Sequence, residues 1–418
     1  MDIRPCFSKI SHKRKWWYPG CKYNFLIDGE RGQAILIADK FKTHVVSVDE
    51  NKNSFYVFED EKTQESFNHN PKRIWTLASK RQIVCLILGY KCKLCTKLIK
   101  RTDDLNQIKV LKKIKFRSSY KCILMYLRGM LYDPNFSGSL NKNDHLLPCN
   151  DGTVINLKDG TCRILEKEDL FSIRCNAHLP TDDEFDTTNV YKYINPIFCY
   201  DQEKVEYMLH RIASYLCGEL DNEIDIWVGD DCNGKSRLSY IIRDLMGDLS
   251  CFPSNDIFIK HPRSNTILMR QYDADMLMNK RIGFSLDLHK NYKYNFSLLN
   301  ELISGNPIAV SKGMCDFLQP KIKLVLVCGT NQLPIGFDRK FMSSVNFIQF
   351  KAKFNCYNNN IDEKNFLYAA NKTLVEQMFT QKELCNLLRV LVPYCMKFYK
   401  NQKKVIDAPL SIISDNIY

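Results

Sequence analysis

The chain has 418 residues, 45% apolar and 26% charged, which is the composition of an ordinary folded protein with two or three domains. Its formal net charge of +13 suits a polyanionic partner but does not identify one. No apolar run approaches the length of a membrane span. The 18 cysteines have no regular spacing, and no signal peptide is apparent, so we expect an intracellular, reducing compartment.

The first 75 residues are predicted to form a small mixed or β-rich region. Two apolar runs, 45–48 and 54–58, are expected to be strands joined by a polar turn. Residues 12–18 combine lysines and arginine with aromatic rings, a combination that can neutralise phosphates and stack on bases. A solvated basic face beside aromatic core residues is the more common origin of such a cluster.

Residues 78–132 are predicted to be helical, because apolar residues recur there every three or four positions. The stretch 109–117 is strongly basic, which fits a phosphate-contacting surface or, more commonly, a solvated helix face. Cys92 and Cys95 form a C-x-x-C motif, but a zinc site needs a second ligand pair. Cys85 and Cys122 are the available partners, and apolar helix positions account for all four cysteines equally well.

Residues 133–200 are rich in hairpin-turn signals around a short strand at 154–157. The acidic and polar stretch 180–188 has the composition of a linker, and a helix at about 202–217 follows it. We therefore place a domain boundary near residue 190.

The most informative segment begins with the apolar run Ile224–Val228, which is predicted to be a buried strand. Apolar residues then recur at helical spacing from Leu238 to Leu245, and Gly247 is a plausible end of that helix. Between strand and helix lies the pattern G-x-x-x-x-G-K-S, in the context that a phosphate-binding P-loop requires. The predicted nucleotide-binding residues are Gly229, Asp230, Asp231, Cys232, Asn233, Gly234, Lys235 and Ser236.

The chemistry of a P-loop explains why these residue types occur at this spacing. Backbone N–H groups of the loop and of the helix N-terminus converge on one point and favour phosphate there. Gly229 and Gly234 allow the tight turn, Lys235 would reach the β- and γ-phosphates, and the Ser236 hydroxyl would bind Mg²⁺. A coincidental glycine-rich turn is the alternative.

Two later apolar runs, 281–287 and 322–328, are predicted to be parallel strands that end near polar side chains. Asp287 stands where a Walker B acid holds Mg²⁺ or polarises the attacking water. Asn331, just after the second run, is placed to reach the γ-phosphate or orient that water. Strands that alternate with helices predict a parallel α/β sheet with nucleotide at its carboxyl edge.

Residues 195–355 resemble a superfamily 3 helicase domain, of the branch found in the primase-helicases of poxviruses and other large DNA viruses and in satellite-phage primases. No primase domain is apparent. Upstream, residues 135–152 resemble the N-terminal domain that precedes this helicase, and 384–409 resemble the helical segment after its core. The segments that resemble family motifs are Asn233–Ser236 (Walker A), Asp287 (Walker B), Ile303–Ile308 (T-G-G-D-x-I), Phe317–Pro320 (F-x-P), Asn331–Pro334 (motif C) and Asp338 to Phe350 (the arginine-pair segment).

The resemblance implies an AAA+-like ATPase that uses ATP and Mg²⁺, with catalytic roles for Lys235, Asp287 and Asn331. Ser236 and Asp287 would contact the metal, and the active form would be a homo-hexameric ring. Lys312 lies on a segment that forms a DNA-facing hairpin in the family, so it is the candidate nucleic-acid contact. The implied partners are single-stranded or forked DNA, with primase and polymerase as further replication proteins, and no membrane.

The chain departs from the family pattern at the nucleotide and DNA motifs. Asp287 stands where glutamate is usual, and a shorter carboxylate positions water less well. Asn306 replaces the aspartate of T-G-G-D. Ser311 occupies the place of a basic residue, with Lys312 one position later.

The most serious departure concerns the arginine pair. Ser343 and Ser344 occupy its register, and Arg339 is the nearest candidate for an arginine finger. Such a finger, supplied by a neighbouring subunit, raises the hydrolysis rate by orders of magnitude. We therefore expect the chain to bind ATP and to hydrolyse it slowly.

Taken together, the sequence predicts a mixed α+β N-terminal domain at 1–190, a P-loop ATPase domain with a parallel sheet at 191–355, and a short helical segment at 356–418. The predicted function is that of an ATP-dependent DNA helicase in viral replication, acting in the host cytoplasm or nucleus. The alternative is a degenerate homologue that binds nucleotide or DNA as a structural replication subunit without unwinding. An unrelated P-loop ATPase, such as a packaging motor, is the third possibility.

Overall fold

The structure is a computed structural model, and it divides the chain into two compact units. One contains Met1–Leu140 with Glu166–Ser172, and the other contains Asn141–Leu165 with Ile173–Tyr418. The division into domains at 1–190, 191–355 and 356–418 stays a prediction. The structure describes residues 24–26, 28–49, 52–64, 71–116, 120–260, 269–288, 292–312, 314–329, 341, 343–355 and 362–409, and only the backbone at 116, 271, 311–312 and 314–316.

The first unit combines helices with a small antiparallel sheet. Its helices are α1 (Gly29–Phe41), α2 (Lys80–Ile99), α3 (Leu105–Phe116), α4 (Tyr120–Met130) and α5 (Phe136–Ser139). Its strands are β1 (Val45–Ser47), β2 (Phe55–Phe58) and β3 (Trp75–Ala78), paired in that order. The strand pair predicted before residue 60 and the helices predicted at 78–132 are confirmed.

The second unit begins with a small antiparallel sheet and holds most of the remaining helices. The sheet is formed by β4 (Leu146–Pro148), β5 (Thr153–Asn156) and β6 (Cys162–Ile164). The helices are α6 (Thr188–Ile197), α7 (Gln202–Cys217), α8 (Lys235–Met246), α9 (Gln271–Leu277), α10 (Phe296–Ile303), α11 (Lys372–Gln377) and α12 (Gln381–Lys400).

A five-stranded parallel sheet forms the centre of this unit. Its strands are β7 (Ile224–Val228), β8 (Ser250–Cys251), β10 (Ile282–Leu288), β13 (Lys323–Cys328) and β14 (Val345–Gln349). Their order across the sheet is β14-β7-β13-β10-β8, with every neighbouring pair parallel. The predicted α/β class with a parallel P-loop sheet is confirmed, and β13 separates the P-loop strand from the strand that carries Asp287.

Two smaller strand sets extend the unit. β9 (Met269–Arg270), β11 (Ile308–Lys312) and β12 (Met314–Leu318) form a second sheet, in which β11 and β12 pair antiparallel as a hairpin that ends at Lys312 and Met314. β15 (Lys353–Asn355) pairs in parallel with β16 (Leu367–Ala369). The hairpin therefore lies where the family resemblance places it.

The central sheet is buried on both faces, as parallel sheets are. Trp227 and Phe284 face one hydrophobic cluster, which also contains residues of α7, α8 and α12. Ile226 and Leu326 face a second cluster, which contains residues of α10. Alternate residues of β7 and β13 thus enter different cores, which explains why these two strands are mostly apolar in the sequence.

A buried ion pair fixes α7 against the amino end of β7. The Arg211 Nε donates to Oδ2 of Asp225 at 3.1 Å, and the Tyr215 hydroxyl donates to the same carboxylate. Both charged side chains are almost fully buried. Since an unpaired charge is very costly inside a protein, this pair specifies how the helix docks on the sheet.

Candidate nucleotide site

The loop after β7 has a backbone that only glycine adopts easily at two positions. Gly229 has a φ of 151° and Gly234 a φ of 91°. A Cβ atom on Gly229 would overlap the side chain of Asn233 and the carbonyl oxygen of Phe350. The loop therefore needs glycine at both positions where the P-loop pattern places it.

Lys235 is the first residue of α8 and is buried against the loop. Its Nζ donates to the carbonyl oxygens of Gly229 at 2.6 Å and Asp230 at 2.9 Å, and to Oδ1 of Asn233 at 2.9 Å. Burial lowers the pKa of Lys235 to about 8, an effect that nearby groups, Asp231 first among them, partly oppose. Its ammonium group is thus held by neutral acceptors, and a phosphate would compensate the charge better.

Asn233 ties the loop to the neighbouring strand β14. Its Nδ2 donates to the carbonyl oxygen of Phe350 at 3.3 Å, and its Oδ1 accepts from the backbone N–H of Lys235 at 3.3 Å. A second connection follows, because the Phe354 N–H donates to the carbonyl oxygen of Cys232 at 2.8 Å. The loop is therefore preorganised by contacts with residues more than one hundred positions later.

Strand β10 ends in an irregularity that exposes Asp287. The register against β13 shifts between Ser285 and Leu288, and Asp287 has a φ of 57° with an exposed side chain. Asn255 holds this conformation: its Nδ2 donates to the carbonyl oxygens of Leu286 at 2.5 Å and Asp287 at 3.2 Å, and its Oδ1 accepts from the Ser285 hydroxyl. Strained backbone of this kind, supported by neighbouring groups, clusters at functional sites.

The carboxyl ends of β7, β13 and β10 meet at one edge of the sheet, because the three strands are parallel. Asp287 and Cys328, the last residue of β13, both act electrostatically on Lys235. Burial raises the pKa of the Cys328 thiol to about 12, so this thiol stays neutral. Ser236 is exposed at the start of α8. A lysine, a hydroxyl and a carboxylate thus share one edge, and the last two are oxygen ligands of the kind that Mg²⁺ prefers.

A cavity of about 650 Å³ adjoins the loop. Cys232, Gly234 and Arg237 form the side nearest the P-loop, and the other walls come from α6, from β15 and β16, and from α11. Tyr193 lies in the wall, and its buried hydroxyl has no hydrogen-bond partner within the described residues. The remaining aromatic side chains of the wall are Tyr200, Phe354, Tyr368 and Phe379.

Several predicted site residues cannot be placed beside this edge. Asn331 and Arg339 lie outside the described residues. Lys312 ends strand β11 at the hairpin, and its side chain is outside the description. Ser344 is described: its carbonyl oxygen accepts from the backbone N–H of Ile224, at the amino end of the sheet.

The sequence reasoning missed two features of the site. Asn255 holds the end of β10 from 32 positions earlier in the chain. Its only local signal is the Ser254–Asn255–Asp256 cluster, which is typical of any turn or helix cap. The aromatic walls of the cavity come from three separate segments, and none of them carries a motif.

The other candidate sites in the sequence have mixed outcomes. Cys95 is buried in α2 as expected for an apolar helix position, but Cys85 and Cys122 are exposed, so that expectation is wrong for them. Both lie on helix faces that the core does not cover. Across the described part of the chain, no group of three or more potential metal-ligating side chains is found. The basic and aromatic residues 12–18 lie outside the described residues.

Comparison with known proteins gives a distant viral relative. A protein of Acanthamoeba polyphaga mimivirus named "Putative helicase L207/L206" is 29% identical to this chain over 153 residues. The match covers 36% of this chain and 16% of the mimivirus protein. No protein-family model matches the chain.

Solved structures give a weak similarity. One apo structure of the NrS-1 C-terminal region aligns with a TM-score of 0.33 and 12% identity, covering 58% of this chain and 52% of that one. A second apo structure of that region aligns with a TM-score of 0.34 and 13% identity, covering 55% and 50%. The α/β class rests on the five-stranded parallel sheet of this chain and not on these alignments. Among the described helices, none is long and apolar enough to cross a membrane.

Proposed function

We propose that this chain is an ATP-dependent DNA helicase of the superfamily 3 type, which translocates on single-stranded nucleic acid in viral DNA replication. The observation that carries the proposal is that the P-loop with its buried lysine, Lys235, and Asp287 lie at the carboxyl ends of parallel strands of one sheet. The similarity to a mimivirus protein named as a helicase supports it.

Each residue at this edge has a role in the proposed hydrolysis. The backbone of the P-loop and Lys235 would bind and neutralise the β- and γ-phosphates. Ser236 and Asp287 would hold Mg²⁺, which supplies positive charge at the phosphate oxygens. Asp287 would also orient the attacking water. Asn331, which lies outside the described residues, is assigned the sensing of the γ-phosphate by the family resemblance alone.

The cavity beside the loop is the proposed place for the adenine base. Its aromatic walls offer stacking surface beside the P-loop, since Cys232 and Gly234 belong to both the loop and the cavity. Base recognition by stacking is tolerant of base identity. The unpaired Tyr193 hydroxyl would supply a hydrogen bond to the base or sugar.

Nucleic acid would be gripped at the hairpin of β11 and β12. Lys312 ends β11 where the hairpin turns, which favours contact with a phosphate backbone. Successive hydrolysis events would shift this hairpin and pull single-stranded DNA. Because the contacts are to phosphates, binding would depend strongly on salt and weakly on sequence.

The position of Ser344 supports assembly into a ring. It lies at the amino end of β14, beside Ile224, whereas the P-loop begins five residues later at the carboxyl end of β7. At about 3.3 Å per residue, roughly 16 Å separates the two edges. A catalytic arginine in the register of Ser344 would thus serve the ATP site of a neighbouring subunit, as in a homo-hexamer.

A second candidate function is a degenerate homologue that binds nucleotide or DNA as a structural replication subunit. Ser343 and Ser344 in the register of the arginine pair favour it, as does Asp287 in place of glutamate. Such a subunit would retain the P-loop geometry and lose the groups that speed hydrolysis.

A strand-displacement assay tests the proposal. The full chain is mixed with a forked DNA duplex and Mg²⁺, with ATP or with a non-hydrolysable ATP analogue. We expect strand displacement with ATP but not with the non-hydrolysable analogue, and we expect none from the Lys235→Ala variant. Tight ATP binding without displacement on any fork would contradict the helicase proposal and favour the structural subunit.

A further inference from the structure

The helical hairpin of α2 and α3 carries most of the net charge of the chain. Between Lys80 and Phe116 there are eleven lysines and arginines and only two acidic residues, a net charge of +9. The whole chain has +13. This segment, less than a tenth of the sequence, therefore dominates the positive field of the first unit.

Most basic side chains of the two helices lie on the outside. The two helices pack through Leu94, Leu98 and Leu111, which are buried. Lys91 is buried as well, but the other basic residues fall on other faces, many at spacings of three or four residues that align side chains along a helix. The exposed basic residues nearest the turn and on α3 are Lys97, Lys100 and Arg101 around the end of α2, and Lys109, Lys112 and Lys113 on α3.

The acidic side chains of the hairpin do not balance this charge. Asp104 is used at the start of α3, where its Oδ1 accepts from the backbone N–H groups of Asn106 at 2.8 Å and Gln107 at 3.3 Å. Within the described residues, no ion pair is formed by Lys97, Lys100, Arg101, Lys109, Lys112 or Lys113. Surface lysines of the second unit do pair, for example Lys397 with Glu206 at 3.3 Å and Lys403 with Glu219 at 2.9 Å.

The helix geometry makes this arrangement unfavourable for the free protein. Like charges four residues apart, such as Lys109 with Lys113, repel each other along a helix. Basic residues in the last turn are favoured by the helix dipole, but Lys109 lies well before the last turn of α3. A bound polyanion would relieve this repulsion.

We infer that the outer face of α2 and α3, here called the basic hairpin, binds the phosphate backbone of double-stranded nucleic acid. No aromatic side chain is exposed on either helix among the described side chains, so the surface lacks the stacking groups that single-strand binding uses. Its charges suit sequence-independent contacts to phosphates. The inference rests on the proposed function only for the identity of the polyanion, and it uses none of the residues of the ATP site.

The test is a salt titration of duplex DNA binding by the full chain without nucleotide, followed by fluorescence anisotropy. The hairpin variant is Lys109→Gln, Lys112→Gln and Lys113→Gln together. The matched control removes the same charge from exposed lysines of the second unit, by Lys142→Gln, Lys364→Gln and Lys382→Gln. The thermal unfolding midpoint of each variant is measured alongside.

We expect the hairpin variant to bind the duplex at least about tenfold more weakly at 0.1 M salt, with a slope of log K against log salt reduced by about 2 to 3. The control should retain most of the affinity, and the hairpin variant should unfold no earlier than the unmodified chain. Equal losses in both variants, or no loss in the hairpin variant, would overturn the inference. So would binding to anionic lipid vesicles without binding to duplex.

The Lys235→Ala variant separates this inference from the proposed function. It should bind duplex as the unmodified chain does when nucleotide is absent. If the unmodified chain displaces strands with ATP and the hairpin variant binds duplex with unchanged affinity, only the inference about the basic hairpin is rejected. If the unmodified chain does not turn over ATP but the hairpin variant loses duplex affinity, only the helicase proposal is rejected.

Discussion

At the scale of single residues, substitutions at two glycines test whether ATP binding needs the backbone conformation that Gly229 adopts. Gly229→Ala should abolish ATP binding, because the new Cβ would overlap Asn233 and the Phe350 carbonyl and the loop could not keep its shape. Gly129→Ala is the matched control, since it lies in α4 with nothing within 4 Å of the added carbon.

The control substitution should therefore affect neither the loop nor ATP binding. Gly129→Ala should stabilise the protein by about 0.5–1 kcal/mol, because alanine favours helix more than glycine does, and should leave ATP affinity unchanged. Isothermal titration calorimetry and thermal unfolding measure both effects. Normal ATP affinity in the Gly229→Ala variant would show that the loop does not bind phosphate in this conformation.

The lowered pKa of Lys235 predicts a pH dependence of ATP binding. Phosphate needs the charged ammonium, which the free protein loses as the pH rises through about 8. Above that value the ATP affinity should therefore fall with rising pH, with a slope that approaches tenfold per pH unit. ATP binding near pH 8.5 should be accompanied by proton uptake at Lys235. Since the folded pKa lies below the unfolded value near 10.5, the free protein should also gain stability as the pH rises between the two.

Calorimetry in buffers of different ionisation enthalpy measures the proton uptake directly. Lys235→Arg serves as a control, because a guanidinium stays charged throughout this range. An affinity that is constant from pH 7 to 9.5 in the unmodified chain would contradict the role assigned to Lys235.

At this scale the sequence predicted the tight turns at Gly229 and Gly234, because a continuous motif is a local pattern. The roles of Lys235 and Asp287 stay predictions. The sequence did not identify Asn255, whose contacts with Ser285 and Leu286 depend on how two distant segments meet. It also did not predict that the Lys235 ammonium rests on the carbonyl oxygens of its own loop.

At the scale of elements, Ser343 and Ser344, which the resemblance places in the register of the arginine pair, lie just before strand β14. Ser344 lies at the amino end of that strand, away from the P-loop of its own chain. If the position is an eroded arginine finger, Ser344→Arg should raise the ATPase rate of the assembled protein, by up to orders of magnitude.

The measurement is the ATPase rate as a function of protein concentration. The gain should appear only where subunits associate, because the new guanidinium would act on a neighbouring site. Ser137→Arg, at an exposed serine of α5 far from this register in the sequence, is the control for added charge. An increase that is independent of concentration would contradict action between subunits.

Strands β7, β10 and β13 were predictable because they are buried and mostly apolar. Strands β8 and β14 were not predicted, because β8 has only two residues and β14 carries Asn346 and Gln349 among its apolar residues. The irregular end of β10 was not predictable, since Leu286, Asp287 and Leu288 alternate like an ordinary strand. Tertiary contacts from Asn255 impose the positive φ there. The exposed Cys85 and Cys122 show the same limit, because a small apolar residue fits both faces of a helix.

At the scale of the whole molecule, the alternation of strands and helices predicted the parallel sheet. The sequence did not give the order of the strands, which places β13 between the P-loop strand and the strand of Asp287. Nor did it give the cavity, whose walls come from segments between Lys192 and Phe379. Both depend on contacts between residues far apart in the chain, which local patterns do not encode.

The central claim, that this site hydrolyses ATP to act on DNA, is tested most directly by steady-state ATP hydrolysis. The purified full chain is assayed with Mg²⁺, with and without single-stranded DNA, beside the Lys235→Ala variant. We predict turnover that DNA stimulates and that the substitution abolishes. Nucleotide binding by a folded, assembled protein without turnover in either condition would contradict the claim.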